Sequence, residues 1–388
     1  MKKGIVMLLL LALYCVNYSN AQDNKPSKTQ FMVRGYGHSG LDFVNVNGDA
    51  ESSYVGTAFA PIFMFKHSDK LMFESELEFA LEDGKVQVGF EYADVMYIVN
   101  DYVTVRAGKF LLPFGTFMEK LHPAWINRLA TKPLGFGHGG IAPASGIGLE
   151  VRGAFNIGYS KLNYSVYSTN GPRLNLGVDE PEEAGQLIFN NFEDNNNNKA
   201  VGGRVGLLPF NNSSVEIGGS FYTGIAGNEE DSLYGNVGAA LFAGDFSFVK
   251  QVPFLKGIID VKAQFTQSNV GKANYYELEP GDSIPTKYTF NNQSQAFYAQ
   301  LSYRPSMLDV KVLKDLEFVG RYSTLNTPEG SVWESQQTQI AIGINYWLTW
   351  RSVLKFSYQV TDIVGGHDAV PGESTKITGM YAHWALGF

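Results

Sequence analysis

The sequence predicts an all-β fold, a transmembrane antiparallel up-and-down β-barrel of about sixteen strands. Three observations support this prediction. Apolar residues recur at every second position in many segments, these segments are about ten residues long, and the connections between them alternate between short and long. Tilted strands of about ten residues are long enough to cross a bilayer, and barrels of this class have short turns at one end and long loops at the other.

The first residues are typical of an export signal. A basic start is followed by an apolar run of roughly a dozen residues, too short for a spanning helix, and then by small residues at Ser19 and Ala21. We therefore predict a signal peptide over residues 1–21, a short periplasmic lead over residues 22–30 and a transmembrane β-barrel over residues 31–388.

Composition excludes several classes of function. Cysteine occurs only at Cys15, inside the predicted signal, so the mature chain has no thiol for a disulfide, a metal or a nucleophile. Removing Lys2 and Lys3 with the signal takes the formal net charge from −8 to −10. This acidic balance argues against nucleic acid as a partner. No cofactor is expected.

The alternation is clearest in residues 71–82. The odd positions of this segment are mostly apolar, whereas its even positions carry Glu74, Glu76 and Glu78. A strand places the two sets on opposite faces, and residues 336–350 repeat the pattern. A soluble β-sandwich is the alternative, but its strands are mostly shorter and it has no reason to sort its loops by length.

The strands and connections follow from these patterns. We expect strands to begin near Phe31, Tyr54, Leu71, Val86, Tyr102, Gly146, Tyr159, Ala200, Val215, Tyr234, Gly257, Gln293, Asp315, Ser335, Val353 and Thr375. Connections after even-numbered strands are mostly tight and those after odd-numbered strands mostly long, with residues 83–85 as a short exception. The long loops should therefore face outward. The acidic, asparagine-rich residues 170–199 predict a flexible, solvated outer loop.

Aromatic residues mark the ends of the predicted strands. The last alternating segment stops on Phe388, a terminal aromatic typical of the signal that the outer-membrane assembly machinery reads. Tyr346, Trp347 and Trp350 lie by a predicted periplasmic turn, where an aromatic girdle is expected.

The fifth connection, residues 111–145, differs from a polar outer loop. It is rich in Gly and Pro and carries Leu112, Phe114 and Trp125 among other apolar residues. We expect it to fold into the lumen and pack on the inner wall. Packing on neighbouring outer loops or at a trimer contact is the alternative.

The residues Val105-Arg-Ala-Gly-Lys-Phe-Leu-Leu-Pro-Phe-Gly115 resemble the strand-to-loop signature of the phosphate-selective porin family, the porin O/P-like outer-membrane porins. The match covers about a dozen residues; elsewhere it rests on architecture. The resemblance implies a sixteen-stranded homotrimeric porin in a bilayer with lipopolysaccharide and an infolded loop. In the family's phosphate channels, selectivity is linked to an arginine ladder and a lysine cluster. This sequence matches these two features only in part.

Charges on the predicted lumen face set the expected selectivity. The predicted constriction carries five cations against Glu119 alone: Arg106, Lys109, Lys120, Arg128 and Lys132. The alternation of side chains along the strands also places other cations on the lumen face: Arg34, Arg152, Arg204, Arg304 and Arg321. Carboxylates on the same faces nearly cancel these charges, and pairing across strands is the plain alternative. A positive constriction predicts a weak preference for anions, with phosphate suggested by the resemblance.

The favoured function is a passive diffusion channel for small hydrophilic solutes in a Gram-negative outer membrane. The alternatives are a structural or adhesive barrel with a closed lumen, and an outer-membrane hydrolase. The sequence shows no catalytic constellation, since His367-Asp368 is the only suggestive pair. No metal centre is predicted either, because nothing in the sequence fixes the geometry of His122 and His138.

Overall fold

The chain folds into a closed antiparallel β-barrel. The structure, a computed structural model, describes residues 29–82, 85–178, 180–189, 192–231, 233–277, 286–365 and 374–388. The predicted signal peptide and nearly all of the predicted lead lie outside the described residues. Within the described part, no helix is long and apolar enough to span a bilayer.

Sixteen of the described strands form the barrel, each pairing antiparallel with its neighbours, and the first pairs with the last to close it. They are β1 (Gln30–Val46), β2 (Asp49–Lys66), β3 (Leu71–Glu82), β4 (Lys85–Asn100), β5 (Val103–Leu111), β6 (Ser145–Ile157), β7 (Ser160–Thr169), β10 (Ala200–Leu208), β11 (Val215–Ile225), β12 (Gly238–Val252), β13 (Gly257–Val270), β16 (Gln293–Arg304), β17 (Leu316–Asn326), β18 (Ser335–Thr349), β19 (Ser352–Gly365) and β20 (Ser374–Gly387).

The remaining elements are short and lie in the connections. Two small hairpins pair β8 (Arg173–Leu174) with β9 (Leu187–Ile188), and β14 (Tyr275–Glu277) with β15 (Thr286–Tyr288). The described helical turns are a π-helix at Phe117–Leu121, 3-10 turns at Pro181–Glu183 and Pro253–Leu255, and an α-helical turn at Lys311–Lys314.

The predicted strands are confirmed. Fourteen of the sixteen begin within one residue of the predicted start. The exceptions are β12, which begins at Gly238 rather than near Tyr234, and β2, which begins at Asp49 rather than near Tyr54. The error at β2 has a local cause. Asn47 and Gly48 both have positive φ, at 50° and 108°, as a two-residue type I′ hairpin requires, so pairing continues to the turn.

The two faces of the strands are confirmed as well. On β18, Ile340 and Ile342 are more than half exposed on the outside, whereas Ala341 and Asn345 are buried inside. One expectation is wrong: Trp347 does not join an outer girdle. It lies on the inner face, where its Nε1 donates to Glu317 Oε2 at 2.9 Å. The period of two along β18 puts odd positions inward, and Trp347 follows that rule.

The connections sort by length as predicted. The described turns at one end of the barrel, here called the short-turn rim, include residues 67–70, 101–102 and 350–351. The opposite end, the loop rim, carries the long connections, although residues 47–48 form a tight turn there.

The expectation of a flexible, solvated loop at residues 170–199 is wrong for its described part. Leu174 and Ala184 are buried with Tyr234 and Tyr275 from the neighbouring loops. The side chain of Asn196 donates to the carbonyl oxygens of Ile225 and Gly227, both at 3.1 Å. Apolar anchors and backbone-binding asparagines therefore hold this segment against its neighbours, which its polar composition concealed.

Candidate functional site

The fifth connection enters the barrel, as predicted. Residues 112–144, here called the crossing loop, leave β5 and bind the inner wall on other strands. The backbone N–H of Gly115 donates to Ser220 Oγ on β11 at 3.0 Å, and that of Thr116 donates to Gln264 Oε1 on β13 at 2.8 Å. The crossing loop therefore divides the lumen.

A glycine sets the point where the crossing loop turns inward. Gly115 has φ +66°, a left-handed conformation that favours glycine, and a Cβ there would lie 2.1 Å from Gln264 Nε2. The close approach lets the side-chain oxygen of Gln264 also accept the Phe117 N–H, at 3.1 Å. One wall residue thereby receives two successive backbone donors of the loop.

Two buried cations bind the far part of the crossing loop. On β17, Arg321 donates from Nη1 to the carbonyl oxygen of Thr131 at 2.9 Å, and from Nη2 to Thr131 Oγ1 at 2.9 Å and the Lys132 carbonyl at 3.0 Å. On β19, Lys355 donates to the carbonyl oxygens of Ala124 and Asn127. These cations satisfy loop carbonyls that would otherwise face the wall unpaired.

Apolar contacts complete this docking. The rings of Phe117 and Phe136 pack on Tyr298 of β16, with centroid distances of 5.9 and 4.9 Å. Leu129 is fully buried against Val319 and the inner wall of β18. The loop is thus held by a small core of its own inside the barrel.

The predicted constriction cations do not act as a group. Arg106 is buried, with its Nε 2.6 Å from Glu150 Oε2 and its Nη1 3.8 Å from Asp94 Oδ2. Lys109 donates to the carbonyl oxygen of Phe90 on β4. Both cations lie on β5, before the crossing loop, and each is bound by a group of the wall.

The three cations on the crossing loop differ in their environments. Lys120 Nζ lies 3.1 Å from Glu216 Oε1, and Arg128 Nε lies 3.2 Å from Glu317 Oε1. Lys132 is exposed, and no described carboxylate lies within ion-pair distance of it. Wall carboxylates thus offset much of the positive charge counted along the segment.

The other predicted lumen cations are mostly paired. The pairs are Arg152 with Glu119 at 2.7 Å, Arg204 with Asp245 at 2.6 Å and with Glu216 at 2.9 Å, and Arg304 with Asp315 at 3.1 Å. Arg321 binds the crossing loop, and Arg34 is exposed near the short-turn rim with its Nε 3.0 Å from Met32 Sδ.

A cavity of about 530 Å³ opens below the crossing loop, toward the short-turn rim. This lower chamber is lined by Lys120, Arg152 and Arg204, with Glu119 as its one charged partner among the described lining residues. Lys120 and Arg152 are 42% and 35% exposed, whereas Glu119 and Glu216 are 15% and 16% exposed. The ion pairs therefore turn their cationic ends toward the chamber.

A second cavity of about 470 Å³ lies above the crossing loop. This upper chamber is lined by residues 137–142 of the loop and by polar wall residues such as Asn292, Ser294 and Gln337. Its acidic and basic lining within the described residues is limited to Glu183 and His138. The strong charges of the lumen thus lie at and below the loop.

The structure also brings together two histidines that the sequence left apart. His122 and His138, both on the crossing loop, approach the same carboxylate oxygen of Glu91 on β4. Burial lowers the pKa of His122, while the Glu91 carboxylate and the Met118 carbonyl oppose this shift. No periodicity signals this meeting, because it depends on the path of the loop through the lumen. The His367-Asp368 pair lies outside the described residues.

Comparisons with known proteins show the fold. The structure is similar to an anion-selective porin from Comamonas acidovorans (13% identity, TM-score 0.56, 93% of this chain and 100% of that chain). It is also similar to the outer-membrane channel DcaP of Acinetobacter baumannii (12% identity, TM-score 0.60, 95% and 100%) and to OmpF of Salmonella typhi (11% identity, TM-score 0.54, 91% and 97%). No family model and no curated protein matches the sequence.

Proposed function

We propose that the chain is an outer-membrane porin, a passive diffusion channel for small hydrophilic solutes. The observation that carries this proposal is a crossing loop fixed inside a closed barrel whose inner wall is polar and whose outer wall is apolar. An apolar exterior suits a lipid environment, in which only a closed barrel leaves no unpaired strand edge. The similarity to known porins supports the same function.

We further propose a weak preference for anions. Its source is the lower chamber, where Lys120 and Arg152 are more exposed than the carboxylates that pair with them. A permeating ion senses the nearest exposed charges most strongly, because the effect of a charge falls with distance and with screening by the solution. The preference applies to small anions as a class, with phosphate among them.

The remaining features of the proposal follow from the sequence. Residues 1–21 would direct export, and the outer-membrane assembly machinery would read the last strand through Phe388. Its backbone N–H donates to the Gly35 carbonyl at 2.9 Å, and its ring stacks on Phe59 at a centroid distance of 5.7 Å, where β20 meets β1. We propose a homotrimer in contact with lipopolysaccharide, as the resemblance to phosphate-selective porins implies.

The selectivity is tested in planar bilayers with a salt gradient. Lys120→Gln and Arg152→Gln should each move the reversal potential toward cation preference, because each leaves its paired carboxylate less compensated. Lys311→Gln, in the exposed helical turn at the short-turn rim, is the matched control and should leave the reversal potential unchanged.

The outcomes separate the alternatives. Equal reversal potentials for wild type, Lys120→Gln and Arg152→Gln would remove the lower chamber as the selectivity filter and leave the channel intact. Folded wild-type protein without any conductance would favour a structural barrel with a closed lumen. That alternative has its own support, since the crossing loop binds wall strands from β11 to β19.

A further inference from the structure

Three side chains meet where the crossing loop passes β4. His138 Nε2 lies 3.1 Å from Glu91 Oε1, and His122 Nε2 lies 3.9 Å from the same oxygen. Glu78 on β3 is the fourth neighbour, since its carboxylate, that of Glu91 and the His138 ring each offer a ligand atom within 4.8 Å of the others.

The orientation of His122 is the decisive detail. Its Nδ1 lies in hydrogen-bond contact with the carbonyl oxygen of Met118, which accepts only from a protonated nitrogen. In the neutral ring, Nε2 then carries the lone pair. That atom is buried, has no hydrogen-bond partner in the structure, and lies 3.9 Å from Glu91 Oε1, whose nearer neighbour is His138 Nε2 at 3.1 Å. The His122 side chain as a whole is only 7% exposed.

The His122 Nε2 lone pair and the Glu91 carboxylate repel each other where they face in this buried place, and Nε2 is left unsatisfied. A cation between them removes both costs. The hydrogen bond from Nδ1 to a backbone carbonyl is also the arrangement that fixes the ring and tautomer of metal-binding histidines.

We propose that Glu78, Glu91 and His138 bind a divalent transition-metal ion of the Zn²⁺ class, with His122 as a further ligand once its ring turns toward the ion. Imidazole nitrogens with carboxylate oxygens are typical ligands for such ions. Tetrahedral bonds of about 2.0–2.1 Å place donor atoms about 3.3 Å apart. The 3.1 Å between Glu91 Oε1 and His138 Nε2 fits this spacing. The 3.9 Å between Glu91 Oε1 and His122 Nε2 exceeds it by less than a side-chain rotation can close.

The ion would fasten the crossing loop to the wall. His122 follows the π-helix Phe117–Leu121 and His138 lies in the glycine-rich part of the loop, so one ion would join two separate points of the loop to β4. Arg321 and Lys355 bind the loop on the opposite strands, β17 and β19. The metal would complete the anchoring on the β3–β4 side and add positive charge between the two chambers.

The test is metal binding by the full refolded chain in detergent, which does not depend on channel activity. Calorimetric titration with Zn²⁺ and the visible absorption of bound Co²⁺ should show one site per chain. Glu91→Gln and His138→Gln should each weaken Zn²⁺ binding by at least about tenfold, since loss of a ligand costs no less than loss of its hydrogen-bond partner. The control is His67→Gln, an exposed histidine in a turn at the short-turn rim, which should bind as wild type does.

His138 is 38% exposed on a loop, so His138→Gln should fold even if Glu91→Gln does not. Equal Zn²⁺ affinity in wild type and His138→Gln would overturn the proposal, as would wild-type protein that binds no Zn²⁺. Either result would leave a plain contact between His138 and Glu91 without a metal.

Discussion

Replacing Arg321 should release the far part of the crossing loop. Arg321 is buried in the inner wall, and it donates three hydrogen bonds to the loop, two to Thr131 and one to Lys132, at 2.9–3.0 Å. No described carboxylate forms an ion pair with it, so Arg321→Met would leave no unpaired acid behind. The one other hydrogen bond of Arg321 among the described residues runs from Nη2 to Gln339 Oε1 of the wall at 3.2 Å, so the change mainly probes loop docking.

The size of the effect follows from these bonds. A hydrogen bond to a charged group contributes about 1.5–3 kcal/mol, but bonds to one side chain are not additive and lumen water can replace part of them. We expect Arg321→Met to weaken docking of the loop by about 3 kcal/mol. Each 1.4 kcal/mol is about a factor of ten, so the ratio of docked to released loop should fall by about a hundredfold.

Single-channel recording in planar bilayers measures this change. Wild-type channels should show one steady conductance, whereas Arg321→Met should show a larger and fluctuating one as the loop leaves the wall. Arg321→Lys keeps the charge with fewer donors and should lie between them. If Arg321→Met has the conductance and noise of wild type, Arg321 does not hold the loop, and the expected loss of about 3 kcal/mol of docking free energy is wrong.

Two further predictions concern the turn of the crossing loop and the lipid face. Gly115→Ala should lower the unfolding free energy by at least about 1 kcal/mol more than Gly139→Ala does. Both glycines have positive φ, but only a Cβ at position 115 would meet Gln264. Urea unfolding of the refolded variants measures both losses, and equal losses would contradict the steric argument. Ile342→Arg, in the middle of β18 on the outer face, should destabilise the barrel in lipid vesicles by about 2–4 kcal/mol, with Ile342→Leu near neutral; a tolerated arginine would show that this face does not meet lipid.

The sequence predicts the barrel well because one physical signal dominates it. Alternation with a period of two sorts side chains to two faces, and a closed barrel in lipid must keep that alternation along every strand. Ile340, Ala341 and Asn345 follow it without exception. Alternation does not predict the start of β2, because strand pairing beyond the membrane depends on the Asn47-Gly48 turn.

The candidate site is predicted less well because it depends on distances across the lumen. Charge counts along residues 106–138 show the excess of cations but not that Glu216 and Glu317 pair with two of them from opposite strands. For the same reason nothing in the sequence brings His122 and His138 to Glu91. Trp347 lies beside a turn, but the alternation along β18 and not the nearby turn decides that its side chain faces inward.

We propose above that this barrel conducts small ions past the crossing loop. Single-channel conductance and reversal potential of the refolded wild-type protein, in a planar bilayer under a salt gradient, test it most directly. We expect steady conductance with a reversal potential shifted toward anions. Correctly folded protein that inserts but carries no current would contradict it.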